Sequence, residues 1–238
     1  PRMRVAPRKP LPFVEFVALL ALLFSTVAFS TDAMLPMMGA MGRELSPADP
    51  AAIQLVITVF VGGLGLGTLV AGPLSDALGR KRVILGGIAL YMLAAAWAAQ
   101  AESLGALLGA RFVQGLGAAG PRVVAQALVR DLYAGRLMAR VLSFAMTLFV
   151  LVPAVAPLLG AWIGAALGWR AIFWSFLIFG SVSAAWLALR QPETLPPERR
   201  RPLAARALWA ALAEVLGHAR VRLYLAALTF SFAAMFTW

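Results

Sequence analysis

Two long apolar runs of the chain meet at the stretch Gly72-Pro73-Leu74-Ser75-Asp76-Ala77-Leu78-Gly79-Arg80-Lys81-Arg82. Its glycines permit a tight backbone reversal in a short loop. Asp76 can cap the helix that follows, pair with Arg80, or face a helix N-terminus, where the dipole favours an anion. An ordinary charged turn explains the basic residues, but it does not explain an acid placed between two glycines at this spacing.

The apolar runs on either side dominate the composition of the chain. Of its 238 residues, 62% are hydrophobic and 13% are charged, and the mean hydropathy is +0.85. A compact soluble fold cannot hide this much apolar surface, which excludes a soluble globular enzyme, a disordered chain and a coiled coil. The chain has no cysteine and one histidine, so we expect no disulfides, no metal site and no cofactor.

Seven apolar runs approach the roughly 20 residues that a membrane-spanning helix needs. The first run exceeds the roughly 7–15 residues of a signal-peptide core, so we expect it to be a permanent helix. The seventh run is too short to end at Trp238, so we expect the chain to stop inside a seventh helix. The runs cover residues 13–38, 51–71, 83–99, 104–129, 137–159, 171–189 and 223–238.

The distribution of basic residues indicates how the chain crosses the membrane. With a cytoplasmic N-terminus, most of the 21 Lys and Arg residues lie inside, and the outer loops hold only Arg43 and Arg170. This is the asymmetry of the positive-inside rule, strengthened by attraction to anionic lipid headgroups. Nucleic-acid binding is not needed to explain the charge, and we expect none.

The order of runs and charges predicts an all-α integral membrane protein in four parts. We expect a cytoplasmic tail at 1–12, a six-helix bundle at 13–189, a basic cytoplasmic linker with an amphipathic helix at 190–222, and a truncated seventh helix at 223–238. Six helices, a charged linker and a further helix indicate two bundles of six, of which this chain holds the first and the start of the second.

A short repeat inside the first bundle indicates two inverted three-helix units. Ala77-Leu78-Gly79-Arg80 follows the second run, and Ala166-Leu167-Gly168-Trp169-Arg170 follows the fifth. The first copy is expected on the cytoplasmic side and the second outside, as inversion requires. The match is short and rich in glycine and alanine, so chance is an equal explanation.

Arg111 lies about seven residues, roughly 10 Å, inside the outer end of the fourth run. An arginine within the membrane costs roughly 2.5–3.5 kcal/mol on insertion scales, so it is expected to face a cavity or a partner. Gly115, Ala118 and Arg122 follow on the same helical face, as in a cavity lining. Snorkelling to the headgroups is the alternative, and it explains Arg122 equally well.

Asp32 is an acid within the first run, at a depth similar to that of Arg111. A carboxylate and a guanidinium at matching depths can neutralise each other across a cavity, which suits a site that gains and loses a proton. Ser25 lies on the same face seven residues earlier and extends the polar lining. An interfacial aspartate near a helix end is the alternative.

The fifth run contains Pro153 and Pro157, which remove two backbone donors and are expected to kink the helix. Gly160 and Gly164 form a small-residue face for close packing. Packing of a bent helix alone is the alternative interpretation of this segment.

These motifs resemble those of the major facilitator superfamily. The stretch 72–82 carries every position of that superfamily's signature loop, and Arg111-Phe112-Val113-Gln114-Gly115 is similar to its pattern in helix four. The segment from Pro153 to Gly160 resembles the antiporter motif of drug exporters, except that Val152 stands where a glycine is expected.

Further segments resemble one subfamily, the bicyclomycin/chloramphenicol-type multidrug proton antiporters. The resemblance implies the N-terminal half of a twelve-helix transporter of the bacterial inner membrane, exporting small, largely apolar compounds against an inward flow of protons. Its partners would be the substrate, protons, the lipid bilayer and the C-terminal half of the same protein. The segments are Thr31-Asp32 with Leu35-Pro36, and residues 128–132, 156–160, 169–174 and 192–195.

The resemblance also implies roles for individual residues. Asp32 would carry the proton and Arg111 would respond to its charge. Three residues depart from the subfamily pattern: Arg122 and Gln126 would alter the substrate charge preference, and Phe24 would alter the proton path. A metabolite importer of the same superfamily, an integral membrane enzyme and a non-transporting receptor are the alternatives. The proton and substrate site comprises Asp32, Arg111, Ser25, Gln114 and Arg122; the gating loop comprises Gly72, Asp76, Gly79, Arg80 and Lys81; and Pro153, Pro157 and Gly160 shape the fifth helix.

Overall fold

A computed structural model of the chain describes residues 11–200 together with Gly217, His218 and Leu223. The helix expected in the basic linker and the truncated seventh helix lie outside the described residues, as does most of the N-terminal tail, so the four-part division stays a prediction. The helices between residues 11 and 200 are α1 (Phe13–Asp32), α2 (Met38–Leu45), α3 (Leu55–Leu78), α4 (Arg80–Ala99), α5 (Leu104–Ala119), α6 (Ala125–Leu132), α7 (Gly135–Leu167) and α8 (Arg170–Arg190).

The predicted all-α membrane architecture is confirmed for the described part of the chain. Five of its helical segments are long and apolar enough to cross a membrane: Phe13–Leu45, Pro50–Leu78, Arg80–Ala99, Gly135–Leu167 and Arg170–Arg190. The expected fourth span is helical from Leu104 to Leu132 but is not among the five. It is more polar than they are, because it carries three arginines and an aspartate.

Proline and glycine residues determine the helix ends that differ from those predicted from the sequence. The first run was expected to continue to residue 38, but α1 ends at Asp32 and a 3₁₀ turn, Leu35–Met37, follows it. Pro36 explains this end, because it has no N–H to donate to the carbonyl group of Asp32. The expected loop at 72–82 is likewise wrong, since α3 continues to Leu78 and α4 begins at Arg80, which leaves Gly79 as the only non-helical residue between them.

Two glycines with positive φ form matching corners of the fold. Gly79 has φ +104° and ψ 150° between α3 and α4, and Gly168 has φ +81° and ψ 164° between α7 and α8. Side chains rarely adopt this backbone region. The two copies of the short repeat therefore share a backbone conformation, which supports the inverted three-helix units.

Close backbone contacts hold α3 against α5. A Cβ atom at Gly63 would overlap the Phe112 carbonyl oxygen, and one at Gly115 would overlap the Phe60 carbonyl oxygen. At Gly67 the added atom would lie 2.7 Å from the Leu116 carbonyl oxygen. The two helices therefore meet along a glycine seam, which we define as Gly63, Gly67 and Gly115.

Aromatic side chains fill the space between α1, α4 and α8. Phe176 lies at the centre, with its ring centroid 5.4 Å from that of Phe29, 5.5 Å from that of Phe173 and 6.5 Å from that of Tyr91. All four side chains are buried, so this cluster fixes how the three helices pack.

A single π-helical turn, Gly120–Val124, joins α5 to α6. Pro121 lies within it and cannot donate a backbone hydrogen bond to Gly117, so the regular α-helical ladder is interrupted at this point. The turn places Arg122 at the interruption, with α5 before it and α6 after it.

Candidate functional site

The Glu193 carboxylate caps α4 at the inner corner, the side predicted to be cytoplasmic. It accepts backbone hydrogen bonds from Arg80 at 2.9 Å and Lys81 at 3.2 Å, which are donors that the first turn of a helix leaves without partners. A Cβ atom at Gly79 would overlap the Oε2 atom of this carboxylate. The sequence alone did not single out Glu193, which entered only as part of the resemblance at 192–195.

Arg80 holds together the charged groups of the same corner. Its Nη1 atom lies 2.5 Å from Oδ1 of Asp76 and donates to the Ser75 hydroxyl at 2.6 Å. Of the three possibilities that the sequence left open for Asp76, the structure shows pairing with Arg80. Its Nε donates to Oδ2 of Asp131 at 3.1 Å, and the Thr194 hydroxyl donates to the same oxygen at 2.9 Å. The ends of α3, α4 and α6 and the segment after α8 are thereby joined.

The remaining residues of the predicted gating loop also lie at this corner. The Lys81 Nζ atom donates to the Ala188 carbonyl oxygen at 2.6 Å, which ties α4 to α8. Gly72 lines a cavity of about 360 Å³ between α3 and the α5–α6 junction. The charged cluster forms part of its wall, through Ser75, Asp76, Arg80, Arg130 and Asp131.

Arg111 is fully buried between α5 and α3. Its Nη1 donates to the Gln114 side-chain oxygen at 2.7 Å, and its guanidinium carbon lies 4.2 Å from the centroid of the Phe60 ring. Within the described chain, the Nε and Nη2 atoms of Arg111 have no hydrogen-bond partner. The side chain does not snorkel, in agreement with the preferred sequence interpretation.

Asp32 lies at the end of α1 and is partly exposed. Its Oδ1 accepts a hydrogen bond from the Thr31 hydroxyl at 3.0 Å. The expected pairing with Arg111 is wrong for residues 11–200, where the ion pairs within 4.0 Å do not include either residue. Matching depth did not bring the two groups together, because Arg111 is directed at Gln114 and Phe60 on its own helix and α3.

Ser25 does not extend a polar lining from Asp32. Its side chain is buried and its hydroxyl donates to the Ala21 carbonyl oxygen of the same helix at 2.7 Å. Near Asp32, a polar contact of α1 with a neighbouring helix comes instead from Ser30, whose hydroxyl lies 2.6 Å from that of Tyr91 on α4. Sequence analysis missed both residues, although Tyr91 is an isolated polar aromatic residue in an apolar run.

The antiporter-like segment of α7 packs against the end of α1. Pro153 and Pro157 both lie inside α7, which continues past them to Leu167. A Cβ atom at Gly160 would overlap the Ala33 carbonyl oxygen, and one at Gly164 would overlap the Met37 side chain. The predicted small-residue packing face is confirmed, and it brings α7 to the residue that follows Asp32.

The corner at Gly168, on the side predicted to be outside, carries its own charged cluster. The Arg170 Nη1 atom lies 2.6 Å from Oε1 of Glu44, and the Trp169 indole N–H donates to Oε2 of the same carboxylate at 2.8 Å. The Arg170 Nη2 atom also donates to the Ala101 carbonyl oxygen at 3.0 Å. Glu44 on α2 therefore binds the corner of Gly168 through two side chains, whereas Glu193 binds the corner of Gly79 through backbone N–H groups.

Comparison with known proteins assigns these features to a family. A family model described as Major Facilitator Superfamily matches residues 18–238. The chain is 34% identical over 230 residues to the bicyclomycin resistance protein homolog of Haemophilus influenzae, with 94% of the chain and 56% of that protein covered. It is 42% identical over 165 residues to a chloramphenicol resistance protein of Pseudomonas aeruginosa, with 68% of the chain and 39% of that protein covered.

Solved transporter structures share the fold. The human organic anion transporter MFSD10 (TETRAN) superimposes with a TM-score of 0.66 at 21% identity, with 83% of the chain and 53% of that protein covered. A D-xylose-proton symporter gives a TM-score of 0.63 at 14% identity, with 84% and 53% covered. The chain thus spans about half the length of these two proteins, and 56% and 39% of the two relatives above.

Proposed function

Because the chain belongs to the Major Facilitator Superfamily, a family of multi-pass membrane transporters, we propose that it forms the N-terminal half of a proton-coupled antiporter. The transporter would export small drug-like compounds across the bacterial inner membrane, with its N-terminus in the cytoplasm. Support for the substrate class comes from relatives that are named for resistance to bicyclomycin and chloramphenicol. The C-terminal half of the protein would complete the binding cavity near the membrane midplane.

The observation that carries this proposal is the setting of Asp32. Its carboxylate is partly exposed, accepts a hydrogen bond from Thr31, and has no cation within ion-pair distance among residues 11–200. A carboxylate held in a membrane-spanning helix without a fixed counter-charge is suited to neutralisation by a proton. Gly160 brings α7 against the adjacent residue, Ala33. A change in the charge or position of Asp32 can therefore alter the packing of α7, the helix that carries the antiporter-like prolines.

The mechanism we propose alternates a proton and a substrate at the Asp32 region. Protonation of Asp32 from the outer side removes the charge that disfavours burial and accompanies release of the substrate to the outside. When the site next opens to the cytoplasm, release of the proton restores the charge and allows another substrate molecule to bind. Arg111 would not neutralise Asp32 directly; it would act through the buried contacts with Gln114 and Phe60. The inner corner around Arg80 and Asp76 would hold the cytoplasmic ends of the helices in one state.

The test uses everted membrane vesicles that contain the full-length protein and hold an acidic interior. Adding chloramphenicol should release protons from the vesicles, detected with a pH-sensitive dye, while the compound accumulates inside. Asp32→Asn should abolish both signals, and Asp49→Asn, which removes an exposed carboxylate of an outer loop, should keep both. Export of chloramphenicol out of the vesicles, or unchanged proton release in Asp32→Asn, would refute the proposal.

A further inference from the structure

Arg122 is a charged group that the proposed proton cycle does not use. Its guanidinium carbon lies 5.5 Å from the ring centroid of Phe24 on α1 and 5.8 Å from that of Phe149 on α7. The aromatic pair and the guanidinium form a cage, which we define as Phe24, Phe149 and Arg122. The cage thus joins α1, α7 and the π turn around the guanidinium of Arg122.

The Arg122 side chain is half-buried in this cage. Its Nη1 atom is buried and has no hydrogen-bond partner within the described chain, and the carboxylates of residues 11–200 make their ion pairs elsewhere. Aromatic faces attract a guanidinium but do not accept hydrogen bonds in its plane. The buried N–H donor therefore lacks the acceptor that its burial requires.

A second arginine shows the same geometry without the unmet donor. The Arg140 guanidinium carbon lies 5.5 Å from the Phe13 centroid and 5.8 Å from the Phe144 centroid, again between α1 and α7. Arg140, however, is exposed near the start of α7, where water can satisfy its donors. The two cages differ in burial rather than in chemistry, so Arg140 provides a matched control.

Arg122 lies within the π turn, and its guanidinium lies close to rings of α1 and α7. Pro121 interrupts the backbone ladder, and the additional residue per turn changes the direction of the side chain that follows. Such turns occur frequently at functional sites. Of the two helices whose rings contact Arg122, α1 carries Asp32 and α7 carries the antiporter-like prolines.

We propose that Arg122 recognises an anionic group of the transported compound, a carboxylate or a related oxyanion. A guanidinium binds such groups through paired, charge-assisted hydrogen bonds, which supplies the acceptor that the buried donor lacks. Phe24 and Phe149 would contact the apolar body of the same compound. This inference rests on the proposed function and adds amphipathic anions to the compounds that the protein would transport.

The test measures binding of two aromatic probes of the same shape, 2-naphthoate and 2-naphthamide, to the purified full-length protein by equilibrium dialysis at pH 7. The wild type should bind naphthoate about tenfold more tightly than naphthamide, because a hydrogen bond to a charged group is stronger than one to an amide. Arg122→Met should reduce that preference to less than about twofold while its affinity for naphthamide is kept, which also shows that the variant is folded.

Two further variants define the charge and its location. Arg122→Lys should keep part of the preference, and Arg140→Met should keep all of it. Three results would overturn the proposal: no preference or no saturable naphthoate binding in the wild type, an intact preference in Arg122→Met, or an equal loss in Arg140→Met, which would indicate general attraction to surface charge.

Proton release on addition of naphthoate, measured on the wild type in vesicles, separates this proposal from the proposed function. A preference that depends on Arg122 without any proton release would support the anion site and reject proton coupling. Proton release together with an unchanged preference in Arg122→Met would support proton coupling and reject the anion site.

Discussion

Replacing Gly79 by alanine tests how the inner corner is built. Gly79 has φ +104°, and a Cβ atom there would overlap the Glu193 carboxylate. Gly168 is a matched control, because its φ is +81° and a Cβ there would meet no described atom within 4 Å. The Gly168→Ala variant therefore suffers backbone strain alone, whereas Gly79→Ala suffers strain and a collision.

The structure gives the size of the expected difference. Backbone strain in this region costs about 1–3 kcal/mol and applies to both variants. The collision displaces the Glu193 carboxylate from the N–H groups of Arg80 and Lys81, and loss of these partly buried bonds costs about 1–2 kcal/mol. We expect the free energy of unfolding to fall by about 2–5 kcal/mol in Gly79→Ala and by about 1–3 kcal/mol in Gly168→Ala.

The assay is unfolding of the full-length protein in detergent micelles, followed by tryptophan fluorescence as the denaturant concentration is raised. Both glycine variants are also made in a Glu193→Ala background, where no carboxylate remains to be displaced. The difference between them should then shrink to less than about 0.5 kcal/mol, which is the range of independent sites. Equal losses in the original background, or an unchanged difference without Glu193, would refute the capping role of this carboxylate.

Four further substitutions probe other contacts. Gly63→Ala should lower the free energy of unfolding by about 1–3 kcal/mol, because its methyl group overlaps a carbonyl oxygen of α5. In the control Gly65→Ala, the added carbon has no described atom within 4 Å, so the free energy of unfolding should stay unchanged or rise. The denaturant titration described above measures both variants. Tyr91→Phe removes a buried hydroxyl that lies 2.6 Å from its partner and should cost about 0.5–1.5 kcal/mol, read as a lower Tm in detergent. Glu44→Gln should cost at most about 1 kcal/mol, because the side chains of Arg170 and Glu44 are 38% and 49% exposed, and a larger loss of Tm would contradict this estimate.

The helical architecture could be predicted because apolar length is a local signal. The expected runs at 83–99 and 171–189 differ by at most three residues from Arg80–Ala99 and Arg170–Arg190. The superfamily predicted from the motifs is likewise confirmed by the family model. Two of the errors lie at a proline, which lacks a backbone donor: Pro36 follows the end of the first helix, and Pro121 lies in the π turn that divides the fourth run. The third lies at the expected loop, where α3 continues past Pro73 and turns only at Gly79.

Side-chain partners could not be predicted in the same way. Similar depth in the membrane suggested that Asp32 and Arg111 would pair, but depth does not determine the direction of a side chain around its helix, and Arg111 bonds to Gln114 on its own helix. Glu193 and Arg80 are 113 residues apart, so no local pattern connects them. The pairing of Asp76 with Arg80 was predictable because the two lie four residues apart.

The glycine seam between α3 and α5 has a mechanical consequence. Main-chain atoms lie against main-chain atoms at Gly63, Gly67 and Gly115, so there are no flexible groups whose rearrangement would let one rod slide along the other. If the charged end of α3 is displaced, α5 and its Arg111 are therefore expected to move with it as one rigid unit. Compliance in this bundle must reside elsewhere, at the single-residue corners and at the π turn.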